Sequence, residues 1–86
     1  MSDEEFQKAA AAVNAFTKKP ADAELLEIYA LYKQGSVGDI NTSKPGLLDF
    51  KGKAKWEAWE KKKGMSQADA KKAYVELAAK LGQTYA

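Results

Sequence analysis

Asp22-Ala23-Glu24-Leu25-Leu26-Glu27-Ile28-Tyr29-Ala30-Leu31-Tyr32-Lys33-Gln34-Gly35 is the stretch whose pattern decides the fold class. Leu25, Ile28, Tyr29 and Tyr32 recur at the three- and four-residue steps of a helix, and Leu26 widens the same stripe. Asp22 is placed to cap the start and Gly35 to stop the end. The stretch predicts an amphipathic helix with one apolar face to bury.

The pattern continues on both sides. Upstream, Ser2 with Glu5 three residues on forms a capping box, and Phe6, Ala9, Ala10 and Val13 follow at helical spacing before Pro20. Downstream, Ser36 to Leu48 carries turn signals at Gly38-Asp39, Asn41-Thr42 and Lys44-Pro45-Gly46. A connection of that length is functional or packed by its own side chains, and Val37, Ile40, Leu47 and Leu48 favour the packed form. Asp49 can cap a third helix that runs through Trp56 and Trp59 to Gly64. Ser66 and Asp69 then open a fourth, lined inside by Ala70, Ala73, Tyr74, Leu77, Ala78 and Leu81. Helical periodicity without a credible strand predicts an all-α four-helix bundle of antiparallel neighbours.

Composition bounds the chemistry. The 86 residues, 45% hydrophobic and 30% charged, suit one globular domain spanning 1–86. Cysteine and histidine are both absent, which removes disulfides, the usual general base near neutral pH and the common nitrogen and sulfur metal ligands. Catalysis and a metal site are therefore not expected. The Met1-Ser2-Asp3-Glu4-Glu5 start has no apolar run behind it, and no segment reaches the roughly 20 apolar residues that span a bilayer. A cytoplasmic protein is the expectation. Net charge is +2 and every cation is a lysine, so the forked arginine contacts that read guanine are missing.

The third helix opens against its own electrostatics. Lys51, Lys53 and Lys55 crowd a helix N-terminus, where the dipole disfavours cations by about 0.3–1 kcal/mol each, and Lys51 repels Lys55 one turn on. Either these lysines form a solvated face or a bound anion relieves the conflict. Lys61-Lys62-Lys63 sits at the favourable end of the helix and is read as structural. Tyr29 and Tyr32 share a face with Lys33, and Tyr74 has the same ring and hydroxyl; each is core edge or ligand contact. Trp56 and Trp59 are read as core.

Beyond these patterns, three blocks resemble a known family. They are Tyr29-Ala30-Leu31-Tyr32-Lys33-Gln34, Val37-Gly38-Asp39-Ile40-Asn41-Thr42 with Pro45-Gly46, and Asp49-Phe50-Lys51-Gly52-Lys53-Ala54-Lys55-Trp56-Glu57-Ala58-Trp59. The chain resembles the acyl-CoA-binding protein family, also called diazepam-binding inhibitor or endozepine, over essentially its whole length. The resemblance implies an up-down-down-up bundle with a bowl-like site between the second and third helices and part of the fourth. It implies an intracellular carrier and pool former for medium- to long-chain acyl-CoA esters, with no cofactor. Acyl-CoA-using enzymes and transient membrane contact are the further partners it suggests. A monomer is expected because the apolar stripes suffice for one bundle, and the small net charge and missing arginines count against a nucleic-acid partner.

The resemblance also implies residue roles. Lys33 and Lys55, helped by the Tyr29 hydroxyl, would neutralise the 3′-phosphate of the CoA ribose; Tyr32 would pack by the adenine and Tyr74 would contact the nucleotide half. Ala30 and Leu31 fall in the same contacting stretch, and Leu25, Leu26 and Ala54 match positions near the acyl chain. Asn14 stands where the family often has lysine, leaving it a peripheral, uncharged candidate. Two other readings remain: an endozepine-like signalling peptide and a small lysine-rich nucleic-acid-binding helical module.

Overall fold

The computed structural model describes residues 3–86, so the expected Ser2 cap lies outside the described residues. Four helices are formed: α1 (Asp3–Asn14), α2 (Asp22–Ser36), α3 (Phe50–Glu60) and α4 (Gln67–Tyr85), and no strand occurs among the described residues.

Helix ends follow local chemistry, with three departures from expectation. Asp22 is the first helical residue of α2 rather than its cap; Ala21 holds the cap position, and its amide donates to Glu24 Oε1 at 2.9 Å. Ala21 has no side-chain acceptor, so only the returning half of a capping box exists here. Gly35 does not stop α2. The left-handed residue is Gly38, at φ +97°, and the helix continues through Ser36 before it. Gly35 is instead a point of close approach: a Cβ there would lie 3.0 Å from Lys71 Cγ and 3.3 Å from the Phe6 ring. Finally, α3 ends at Glu60, and Lys61 to Gly64 form turns in which the Lys62 and Lys63 amides donate to Trp59 and Glu60 carbonyls. Two caps stand where the sequence placed them. Asp49 Oδ1 accepts the Gly52 amide and Ser66 Oγ accepts the Asp69 amide, both at 3.0 Å.

Pairwise contacts give the helix directions. Asp3 meets Lys71, Phe6 meets Tyr74 and the Thr17 amide meets the Tyr85 carbonyl, so α1 and α4 advance together. Tyr29 meets Lys55 and Lys33 meets Trp59, so α2 and α3 also run parallel. Glu24 meets Tyr85 while Gln34 meets Met65, so α2 and α4 are antiparallel. The order is up-down-down-up. Antiparallel packing of neighbours, expected from periodicity, thus holds for α2 with α4 and fails for the two parallel pairs.

Parallel packing explains the long connection. A 15-residue α2 is about 22 Å long, and the chain must return along that length before α3 can start beside it. The return is not packed by its leucines: Leu47 is 78% and Leu48 90% exposed. Indoles hold it instead. Trp56 Nε1 donates to the Thr42 carbonyl and Trp59 Nε1 to the Gly38 carbonyl, each at 2.9 Å. Beneath them, the buried Gln34 amide nitrogen donates to Asp39 Oδ1 at 2.9 Å and to the Met65 carbonyl at 2.7 Å. Asp39 Oδ1 also accepts the Gly64 amide at 2.9 Å, so one amide and one carboxylate join the ends of α2, the return segment and the start of α4.

The main core is built from α1, α2 and α4: Phe6, Ala9, Ile28, Leu31, Tyr74, Ala78 and Leu81. Trp59 is the buried residue of α3. This division leaves the α2–α3 seam open at its surface.

Candidate functional site

The seam collects cations above aromatic rings. Lys55 Nζ lies 5.5 Å from the Tyr29 ring centre, and one turn on Lys33 Nζ lies 5.5 Å from the Trp59 ring centre. Each contact is the kind that contributes about 0.5–1 kcal/mol at an exposed site. Among the described residues neither lysine forms an ion pair, whereas Lys8, Lys44, Lys62 and Lys71 all do. Two cations therefore stand at the seam without a counter-charge.

Beside them is an aromatic cluster. The Phe6 ring stacks on Tyr32 with centroids 5.3 Å apart and meets Tyr74 edge-on at 5.2 Å, while Tyr32 and Tyr74 lie 5.8 Å apart. Tyr32 is half-buried and offers an open edge; Tyr74 is 3% exposed. Burial, with Tyr32 adding to it, pushes the Tyr74 phenol up to about 12, so it stays neutral in ordinary buffers.

Where α2 and α3 begin, a cavity of about 390 Å³ opens between them. Leu25, Leu26, Ala54 and Phe50 give it apolar walls, and Lys19, Lys51 and Lys55, with one carboxylate, Asp22, stand on its rim. A second cavity, of about 460 Å³, lies on the same pair of helices and shares Leu26 and Ala54. Both volumes fall within the range of small-molecule sites. An apolar compartment beside unpaired cations can hold a molecule with an oily tail and an anionic head.

The structure brings most of the sequence candidates together. Tyr29, Lys33 and Lys55 meet on the seam, Leu25, Leu26 and Ala54 line the first cavity, and Tyr32 with Tyr74 forms the aromatic side. Ala30 and Leu31 lie apart from that surface, at 0% and 4% exposure, within the interior. Asn14 ends α1 on the exposed surface. Phe50 is the residue that pattern reading passed over. It is 74% exposed at the lip of the cavity and is the first residue of α3. The available signal was a large aromatic set among lysines, where no apolar stripe claims it.

The family model described as acyl CoA binding protein matches residues 3–78 of this chain. The chain belongs to the acyl-CoA-binding protein family. The acyl-CoA-binding protein homolog of Drosophila melanogaster is 54% identical over 86 residues, covering 100% of both chains. Among solved structures, the acyl coenzyme A binding protein from yeast matches with a TM-score of 0.81 at 49% identity, covering 98% of each chain. Acyl-CoA-binding protein 2 of Oryza sativa matches with a TM-score of 0.90 at 31% identity, covering 94% of this chain and 90% of that one. The acyl-CoA-binding protein family is one of binding proteins, and its all-α fold is the fold found here. Among the described residues no carboxylate cluster could hold a metal ion, and no helix is long and apolar enough to cross a membrane.

Proposed function

We propose that residues 1–86 act as one acyl-CoA-binding domain that takes up medium- to long-chain acyl-CoA esters and breaks no bond in them. The observation that carries this reading is the apolar cavity at the start of the α2–α3 seam, set directly beside the unpaired Lys55 and the Tyr29 ring. Lys33 and Lys55 neutralise the ribose 3′-phosphate with help from the Tyr29 hydroxyl. Tyr32 packs by the adenine, and Tyr74, 3% exposed, backs the Tyr32 ring from the interior. Leu25, Leu26 and Ala54 receive the tail, with Phe50 added as its lip.

Magnitudes divide the labour. Removing about 15 methylenes from water contributes at most roughly 12 kcal/mol, at ~0.8 kcal/mol each. That approaches the total for a nanomolar complex before association and ordering costs are subtracted. A charge-assisted bond to phosphate adds about 1.5–3 kcal/mol. The tail sets affinity, and the phosphate contacts select CoA esters over free fatty acids. Such a protein keeps a detergent-like ester off membranes and holds a pool for acyl-CoA-using enzymes, working as a cytoplasmic monomer that touches membranes only in passing.

Titration calorimetry with palmitoyl-CoA, free CoA and free palmitate tests this. Palmitoyl-CoA should bind far more tightly than CoA, and palmitate hardly at all; three equal affinities would overturn the reading.

A further inference from the structure

The two cavities of the α2–α3 seam share Leu26 and Ala54, which wall both of them. The second adds Ala23 and Ala58 as apolar floor, and its rim carries Glu57 and Lys61. Its lining also includes Glu27 and Lys62, which form an ion pair across it. Lys62 Nζ sits 2.8 Å from Glu27 Oε1 and 3.0 Å from Oε2, joining α2 to the turn that follows α3. The Lys62 side chain is only 20% exposed, so its stem is packed and its ammonium is held in one place.

We infer that the wall shared at Leu26 and Ala54 is where a long acyl tail passes from the first cavity to the second, and that the Glu27–Lys62 pair is the stop that sets the longest tail accommodated. This rests on the acyl-CoA reading and adds to it the chain-length limit and the residues that impose it. The physical reason is a change in what each added methylene touches. Up to the pair, a methylene meets Leu26, Ala54, Ala23 or Ala58 and leaves water, which raises affinity by roughly fourfold. At the pair, a further methylene must press on two charges and strip their water, or turn outward into solvent; neither gains affinity.

The test is a calorimetric series of saturated acyl-CoA esters of increasing length against three proteins: unaltered, the double variant Glu27→Met/Lys62→Met, and the charge swap Glu27→Lys/Lys62→Glu. The unaltered chain should gain affinity with length and then reach a plateau. The double methionine variant should carry the rise to longer esters, by roughly fourfold for each added methylene. The swap rebuilds the pair and should plateau where the unaltered chain does. Thermal melts confirm that each variant is folded, and the swap keeps the test open should the methionine pair fold poorly: a swap plateau displaced from the original overturns the stop. A plateau unmoved by the methionine pair overturns it as well, while the acyl-CoA reading stands. Absence of ester binding by the unaltered protein would overturn both.

Discussion

Lys55, from the crowded start of α3, holds its ammonium 5.5 Å above the Tyr29 ring of α2. This contact answers the electrostatic conflict at the head of α3. The Asp49 carboxylate caps the helix and supplies a negative charge there, Lys51 turns to the cavity rim, and Lys55 leans on an aromatic face. None of these relieves Lys55 of its net charge, which stays available to an anion.

Lys55→Met should therefore weaken palmitoyl-CoA binding by about ten- to a hundredfold, the size of one charge-assisted bond. It should also flatten the dependence of affinity on salt. Tyr29→Phe keeps the ring under the cation and loses only the hydroxyl, so its loss should be smaller. Calorimetry at several ionic strengths checks both, and an unchanged salt slope in Lys55→Met would remove it from the phosphate site.

Gln34 is the buried polar residue on which three segments converge. Asp39 and the Met65 carbonyl are both acceptors, which fixes the amide nitrogen toward them. Gln34→Leu fills similar space and removes the two hydrogen bonds to Asp39 and the Met65 carbonyl. Asp39 is exposed and keeps the Gly64 amide, and the buried, unpartnered Gln34 Oε1 is lost too, so the fold should be destabilised by only about 1–2 kcal/mol in urea unfolding. A change within about 0.5 kcal/mol would mean that the clasp contributes little.

Stability should fall off on both sides of neutral pH, for different reasons. The Gly64 amide and then Gln34 hold the Asp39 carboxyl low; Tyr85 and then the Ala21 amide do so for Glu24; Lys71 does so for Asp3. A carboxyl depressed in the fold lends stability that is complete above the ordinary values of 3.8 and 4.5 and is lost as pH falls through its folded value. Tyr74 works in the opposite sense. Its value rises from 10.0 to about 12 on folding, so its contribution is complete below 10 and lost as pH climbs toward 12. Tyr85, raised chiefly by its hydrogen bond to Glu24, behaves likewise. Urea midpoints across pH should show an acid limb beginning near about pH 5 and an alkaline limb that Tyr74→Phe weakens.

Gly38 occupies φ +97°, where an L side chain is strained. Gly38→Ala should cost about 1–2 kcal/mol and loosen the hydrogen bond from Trp59 to the Gly38 carbonyl, visible as a shift in tryptophan fluorescence. Unaltered stability would mean that the backbone relaxes there without loss.

Much of this architecture is legible in the sequence. Four helices, the Asp49 and Ser66 caps and the seam residues Tyr29, Lys33 and Lys55 follow from spacing and resemblance. Glycine roles were harder, because a sequence does not say whether a glycine is needed for its φ or for its missing Cβ. Gly38 serves the first need and Gly35 the second. Leu47 and Leu48 misled because apolar residues in a loop are ordinarily packed, and these have no helix opposite them. The cavity lip at Phe50 and the Glu27–Lys62 contact join residues far apart in the chain, and helical periodicity carries no information about that. The nucleic-acid alternative drew on the lysines of α3 as a single basic face; in the fold Lys55 is turned onto Tyr29 and Lys51 onto the cavity rim, and no comparison supports it.

The placement of α3 has a dynamic consequence. It shares an extensive face with α2 alone and contributes nothing to the Phe6–Tyr74 cluster at the heart of the molecule. Its amide protons should exchange with deuterated solvent through partial detachments that leave the other three helices intact. A guest wedged along the seam would bond it to its neighbour, slowing deuterium uptake there more than anywhere else.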